Sequence, residues 1–264
     1  MPVDLRAGQS VHWQTFGTGD RPAIAVHCML ASGRYWGTLS PFLPQLTMTA
    51  FDLPGQGKSG PYDGAEGYQK LCTQILASFI TRPVDLIGHS FGATIALRLA
   101  VAAPEAVRSL TLIEPVLFRA AMDSAEWTHE CAEHDTLSQL LASGDTTEAA
   151  RLFVGRWGAS AWQDMPAQMQ QGMADRMHLI AAASRDNFGD TGDILREGGL
   201  ESIDAPVMLM EGADSPPIIH RVHERLAARL ADVATARIPG AGHMAPMTHA
   251  AQVAGLIAMN LDRS

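Results

Sequence analysis

Val84-Asp85-Leu86-Ile87-Gly88-His89-Ser90-Phe91-Gly92-Ala93-Thr94-Ile95-Ala96 is the stretch whose reading decides the fold. A mostly apolar run ends in Gly88, Ser90 follows, and an amphipathic segment then continues to Ala103 without a break. The short run reads as a buried strand, and the longer periodic segment reads as a helix stopped at Pro104. Gly-x-Ser-x-Gly at such a junction is the pattern of a nucleophile elbow. Its glycines remove side chains that would collide in so tight a turn, and the turn lifts the Ser90 hydroxyl out of the sheet. The helix N-terminus beyond it favours developing negative charge. Ser90 is therefore the candidate nucleophile.

Working outward, Val11 to Thr15, Ala23 to His27 and Met48 to Asp52 read as strands, with a helix expected from Tyr35. Tyr68 to Ile80 reads as a helix, and Val107 to Glu114 as another buried strand. Strand and helix alternate in this order when right-handed crossovers build a mainly parallel sheet with helices on both faces. The pattern changes at about Leu117. From there to about Leu200 only helical stretches appear, rich in Ala, Met, Gln and Trp. Alternation resumes with Val207 to Glu211, a helix near Ile219 to Leu230, Ala234 to Ile238, and a last helix from Ala250 to Leu261. We expect an α/β core over 1–116 and 201–264, with a helical cap over 117–200 inserted after the sixth strand. Such a cap would cover the carboxyl ends of the strands, where open parallel sheets bind ligands.

With these residues in view, the chain resembles the α/β-hydrolase superfamily over nearly its whole length. Asp52-Leu53-Pro54-Gly55-Gln56-Gly57-Lys58-Ser59 is similar to the family's D-x-x-G-x-G-x-S loop, a structural turn beside the site, so Asp52 is assigned no chemistry. Val26-His27-Cys28-Met29 resembles the family's strand ending in His-Gly-x. The resemblance implies that the backbone N–H groups of Met29 and Phe91 form the oxyanion hole. Cys28 stands where the family has Gly, and a turn needing φ > 0 there would strain a cysteine. We read Cys28 as a small buried hydrophobe of the substrate pocket.

Ile238-Pro239-Gly240-Ala241-Gly242-His243-Met244 places a His in a Gly-rich loop between a strand and the final helices, matching the family's position for the general base. His89, beside the elbow, reads as structural. Two carboxylates compete for the acid. The family usually carries it three residues past a Gly, and here Gly212-Ala213-Asp214-Ser215 puts Ser at that offset and Asp one residue early. Glu114 ends an apolar strand, the place where haloalkane dehalogenases and some other members carry theirs. A Glu there is costly to bury without a partner, and its extra methylene lets it reach across from the neighbouring strand. We place Glu114 first and leave Asp214 open.

Met165, Met169, Met173 and Met177 recur every four residues, which suggests one stripe along a helix. The stripe is either core packing or an adaptable apolar wall of the pocket, with Met169 and Met173 as its lining residues. Trp127, Trp157 and Trp162 make the cap apolar under both readings.

Composition narrows the partners. A net charge of −9, with 47% hydrophobic and 18% charged residues over 264 positions, describes a globular chain with a substantial core. No basic cluster is present to neutralise phosphates or anionic lipid, so neither nucleic acid nor membrane is expected as a partner. The first residues hold no apolar run of a secretory signal, and no stretch reaches the length of a membrane span. Three scattered cysteines fit a reducing, cytoplasmic setting, and without clustered His/Cys spacing neither metal nor cofactor is expected. Self-association is left open.

The expected function is acyl-enzyme hydrolysis of a carboxylic ester, thioester or lactone of a small, largely apolar substrate. A carbon–carbon bond of a vinylogous diketone is the sister alternative, and a non-catalytic ligand receptor the rival from another class. Dehalogenases and epoxide hydrolases of this fold use Asp at the elbow, and the epoxide hydrolases also use cap tyrosines. Position 90 is Ser, and all three tyrosines precede it.

Overall fold

The computed structural model describes residues 2–264. The strands are β1 (Val3–Arg6), β2 (Gln9–Phe16), β3 (Arg21–Val26), β4 (Leu46–Phe51), β5 (Val84–His89), β6 (Val107–Ile113), β7 (Val207–Gly212) and β8 (Val233–Ile238). They form one sheet in the order β1-β2-β4-β3-β5-β6-β7-β8, antiparallel across the first two pairings and parallel thereafter. β5 and β7 are buried along their whole length, which is why they read in sequence as continuous apolar runs rather than alternations. Both faces are covered. Ile24, Val26, Leu86, Leu110, Leu112, Val207 and Leu209 point into one core, and their chain neighbours Ala23, Ala25, Ile87, Ile113, Met208 and Met210 into the other. This is the period-2 alternation of a strand packed on two sides.

The helices are α1 (Tyr68–Ala77), α2 (Phe91–Ala102), α3 (Ala125–Ser143), α4 (Thr146–Trp157), α5 (Ala167–Ala174), α6 (Met177–Gly189), α7 (Pro217–Ala227), α8 (Ala245–Thr248) and α9 (Ala250–Leu261). α1, α2 and α7 pack on the first face, and α9 on the second. Between β6 and β7 the described chain is helical or irregular. The junction of α3 and α4 is set by local chemistry. Ser124 Oγ accepts the Trp127 N–H at 3.1 Å, Gly144 ends α3 at φ +82°, and Asp145 accepts the Glu148 N–H at 3.1 Å.

Three differences from the sequence expectations have local causes. The helix expected from Tyr35 is instead two single turns, Gly33–Thr38 and Ser40–Phe42. Gly37 weakens a helix there, and Pro41 cannot sit in its interior. β1 was not anticipated; four residues at the sheet edge, with Val3 and Leu5 exposed, are too few to show a pattern. The methionine stripe is broken. Met165 precedes Pro166 and is extended at φ −86°, ψ 141°, as a residue before proline tends to be. Arg176, at φ −102°, ψ 6°, then separates α5 from α6, so Met177 lies on a different helix from Met169 and Met173.

Candidate active site

The elbow is strained in the backbone. Ser90 sits at φ +57°, ψ −120°, and its N–H donates to the Ile113 carbonyl at 2.9 Å. A non-glycine residue in this region costs on the order of 1–3 kcal/mol and persists only where its surroundings hold it. The flanking glycines are required by close approach. A Cβ on Gly92 would come within 2.2 Å of the Val26 carbonyl oxygen, and one on Gly88 within 2.5 Å of the Ala93 Cα. β3, β5 and α2 therefore meet at Ser90 with no room for a side chain at position 88 or 92.

His243, in the turn between β8 and α8, reaches both ways. Its Nε2 lies 2.9 Å from Ser90 Oγ and its Nδ1 2.9 Å from Glu114 Oε2. A carboxylate can only accept, so Nδ1 carries the hydrogen and Nε2 is left to accept the Ser90 hydroxyl proton. All three are nearly inaccessible, at 7%, 7% and 0% exposure for Ser90, His243 and Glu114. Burying a carboxylate demands donors, and Glu114 has them. Its Oε1 accepts the Gly212 N–H at 2.5 Å and the Ser215 hydroxyl at 2.7 Å. Glu114 is itself held at φ +53°, turned out of β6 just past the strand end.

Asp214 is not brought to this cluster. Its side chain is exposed, and its N–H is tied to the Ala241 carbonyl at 2.8 Å. The loop does not rotate to compensate for the one-residue offset. Instead Ser215, at the offset where the family carries its acid, faces inward and donates to the Glu from the neighbouring strand.

Two buried histidines hold the frame. His89 donates from Nε2 to the His243 carbonyl at 2.8 Å, and its Nδ1 accepts from the Tyr35 hydroxyl at 2.9 Å. Burial, and then the proximity of His243, push His89 well below the usual imidazole range, so it stays neutral. His27 donates from Nδ1 to the Cys28 carbonyl at 2.7 Å and accepts the Leu53 N–H on Nε2 at 3.0 Å. Burial lowers it to about 4. Asp52 accepts from the Gly33 N–H at 2.7 Å, the Lys58 N–H at 2.8 Å and His12 Nδ1 at 2.8 Å, a structural use. Tyr35 and Ser215 escaped sequence reasoning. The offset of Ser215 from Gly212 was a visible signal; nothing local marked Tyr35.

The backbone N–H groups of Met29 and Phe91 find no acceptor among the described residues, and both residues line the cavity over Ser90. The positive φ in the Met29 loop falls at Leu30 (φ +60°), not at Cys28, so Cys28 is not strained there. Burial pushes the Cys28 thiol up to about 12, which keeps it protonated and a poor nucleophile. Cys28, Met169 and Met173 line a cavity of about 770 Å³ that opens on Ser90 and His243. A narrower one, about 90 Å³, runs from the same two residues beneath α3, α4 and α6. Trp157, the last residue of α4, borders both, with its ring edge-on to His243 at 4.7 Å. Among the described residues, no group of three or more His, Cys, Asp or Glu is placed to hold a metal ion, and no helix is long and apolar enough to cross a membrane.

The comparisons agree with this architecture. Residues 23–256 match the model of the alpha/beta hydrolase family. Lipase LipV of Mycobacterium tuberculosis is 29% identical over 175 residues, which is 65% of this chain and 62% of the lipase, less than two thirds of that protein's length. The pimeloyl-[acyl-carrier protein] methyl ester esterase of Methylococcus capsulatus is 28% identical over 239 residues, 85% of this chain and 89% of that one. In structure, an alpha/beta hydrolase from Sphaerobacter thermophilus superimposes with a TM-score of 0.71 at 21% identity, covering 97% of this chain and 99% of that chain. The eight-stranded sheet, its helices on both faces and the match over most of the sequence lead to one conclusion: the chain belongs to the alpha/beta hydrolase family.

Proposed function

We propose that the protein hydrolyses an ester-like bond of a small, largely apolar substrate through an acyl-enzyme, with Ser90 as nucleophile, His243 as general base and acid, and Glu114 as the orienting acid. The observation that carries this is the unbroken relay from Glu114 through His243 to Ser90, at 2.9 Å on each side, beneath two unbonded backbone N–H groups. Ser90 Oγ attacks the carbonyl carbon while its proton passes to His243 Nε2. The imidazolium so formed is stabilised by Glu114, and the tetrahedral oxyanion accepts from the Met29 and Phe91 N–H groups. The bond to the leaving alcohol or thiol breaks as that group takes the proton from Nε2. Water then adds to the acyl carbon, passes a proton to His243, and the acid departs as Ser90 Oγ recovers it.

The lipase and methyl ester esterase among the relatives support an ester over other bonds. Division into a core of 1–116 and 201–264 with a cap of 117–200 belongs to the same proposal, supported by α4 and α6 walling the cavity over Ser90. Three free cysteines support a reducing, cytoplasmic setting. The test is Ser90→Ala, which removes chemistry but little packing. Loss of a triad nucleophile costs on the order of 10⁴ to 10⁶ in rate, and a variant retaining a tenth of wild-type turnover on p-nitrophenyl esters would sink the assignment.

A further inference from the structure

The candidate base sits in a glycine-rich loop. Gly240, at φ +70°, and Gly242 flank Ala241 just before His243, and glycine leaves a backbone its widest freedom. Glu114 restrains the His243 ring through Nδ1, but the ring also moves with its own main chain. No backbone N–H among the described residues bonds the His243 carbonyl. Its partner is a side chain, His89 Nε2, at 2.8 Å. His89 ends β5 and directly precedes Ser90, so this bond ties the main chain of the base to the immediate neighbour of the nucleophile.

The His89 ring is pinned in turn by Tyr35. Its Nδ1 accepts the Tyr35 hydroxyl at 2.9 Å, and the two rings stack with centroids 5.7 Å apart and planes 7° from parallel. The hydroxyl keeps its hydrogen, since burial pushes Tyr35 well above the usual phenol range. The turn that carries Tyr35 is anchored by Asp52, which accepts the Gly33 N–H at 2.7 Å. A carbonyl can only accept, so His89 must carry its hydrogen on Nε2, and Tyr35 fills the one acceptor that this tautomer leaves.

We propose that Tyr35 and His89 are positioning residues for the reaction, which together set the distance between His243 Nε2 and Ser90 Oγ by holding the main chain of the base. The inference rests on the ester-hydrolase reading above and deepens it. Glu114 sets the direction of the imidazole, and the Tyr35–His89 pair sets where the imidazole stands. Without the Tyr35 hydroxyl, His89 Nδ1 is a buried acceptor with no donor, and the ring is free to tilt and carry the His243 carbonyl with it. A shift of about 1 Å between reacting groups costs on the order of 10²-fold in rate. Tyr35 also lines the larger cavity, so a role as plain pocket wall is the rival account. Tyr35→Phe separates the two, because it keeps the ring and its stack and removes one oxygen.

The test compares variants with wild type in steady-state kinetics on an activated ester and in the rate of fluorophosphonate labelling at Ser90. Tyr35→Phe should lower kcat and the labelling rate together, about tenfold, with KM within about twofold, the pattern of an interaction realised only in the transition state. His89→Leu should lower both on the order of 10²-fold, and His89→Gln, whose amide N–H can reach the same carbonyl, should recover most of that loss. His89→Asn, too short to reach it, replaces His89→Leu if the latter does not fold. Proton NMR adds a readout that stability alone does not move. The low-field resonance of the His243 Nδ1–H bonded to Glu114 should move or broaden in Tyr35→Phe and His89→Leu and stay in place in His89→Gln. Wild-type kcat and labelling in Tyr35→Phe, or a change in KM alone, overturns the positioning role and leaves Tyr35 as cavity wall. Equal loss in His89→Gln and His89→Leu, with the resonance unmoved in both, overturns it for His89. A wild type that is neither labelled nor active on any ester overturns the hydrolase reading, and the role of the pair with it.

Discussion

Glu114 carries an unusual burden for one side chain. It is wholly buried, sits at positive φ, and receives the Gly212 N–H, the Ser215 hydroxyl and the His243 ring. From the sequence, Ser90 and His243 stood out because motif and neighbourhood agreed. The acid did not, because side-chain direction at a strand end depends on a backbone turn that residue spacing does not encode. The resulting expectation is a contrast between two substitutions. Glu114→Gln can turn its amide toward Nδ1 and favour the tautomer with a proton facing Ser90, which should lower kcat/KM on the order of 10² or more. Asp214→Asn, at an exposed position, should stay within about twofold of wild type. Steady-state kinetics on both variants decides it, and a reversed order would move the acid to Asp214.

His27 makes a second prediction at this scale. Its folded value of about 4 lies below the roughly 6.5 of a free imidazole. Between those values the unfolded chain binds a proton that the folded chain excludes. Stability is therefore complete above about pH 6.5 and falls as pH drops through that window, by up to about 1.4 kcal/mol per pH unit for this group. His89 adds to the same slope. Urea midpoints measured from about pH 7 down to pH 5 should fall more steeply for wild type than for His27→Gln. Parallel decline in the two proteins would place the proton-linked loss elsewhere.

Among the elements, those buried on both faces were legible and those at edges were not. β5, β6 and β7 announced themselves as apolar runs between turn signals, and α2 as an unbroken helix after the elbow. β1, short and exposed, and the turns around Gly37 and Pro41 carried too little periodicity. The methionines show how a spacing of four can mislead: Pro166 and Arg176 interrupt the helix that the spacing implied. Yet Met165, Met169 and Met173 still converge on the large cavity from an extended segment and from α5. Since Met169 is half exposed, at 50%, its truncation should cost little stability. Met169→Ala with Met173→Ala should instead shift acyl- or alkyl-chain preference, each lost methylene contact being worth about 1 kcal/mol. Chain-length profiles that coincide for the pair and wild type would return these residues to plain packing.

At the scale of the whole molecule, the strand order brings the ends of β3, β5, β6, β7 and β8 to one rim. Ser90, Glu114 and His243 can meet there although up to 153 residues of sequence separate them. Residues of the helices between β6 and β7 line the cavity over Ser90, and the Trp157 ring stands edge-on to His243. Mass spectrometry of the protein quenched within the first turnovers of an activated ester tests the account most directly. The account predicts one acyl group, removed by later hydrolysis, on the peptide that carries Ser90, and none on the Ser90→Ala variant. Turnover at the wild-type rate with no acyl group on that peptide, or with the group on another residue, would contradict it.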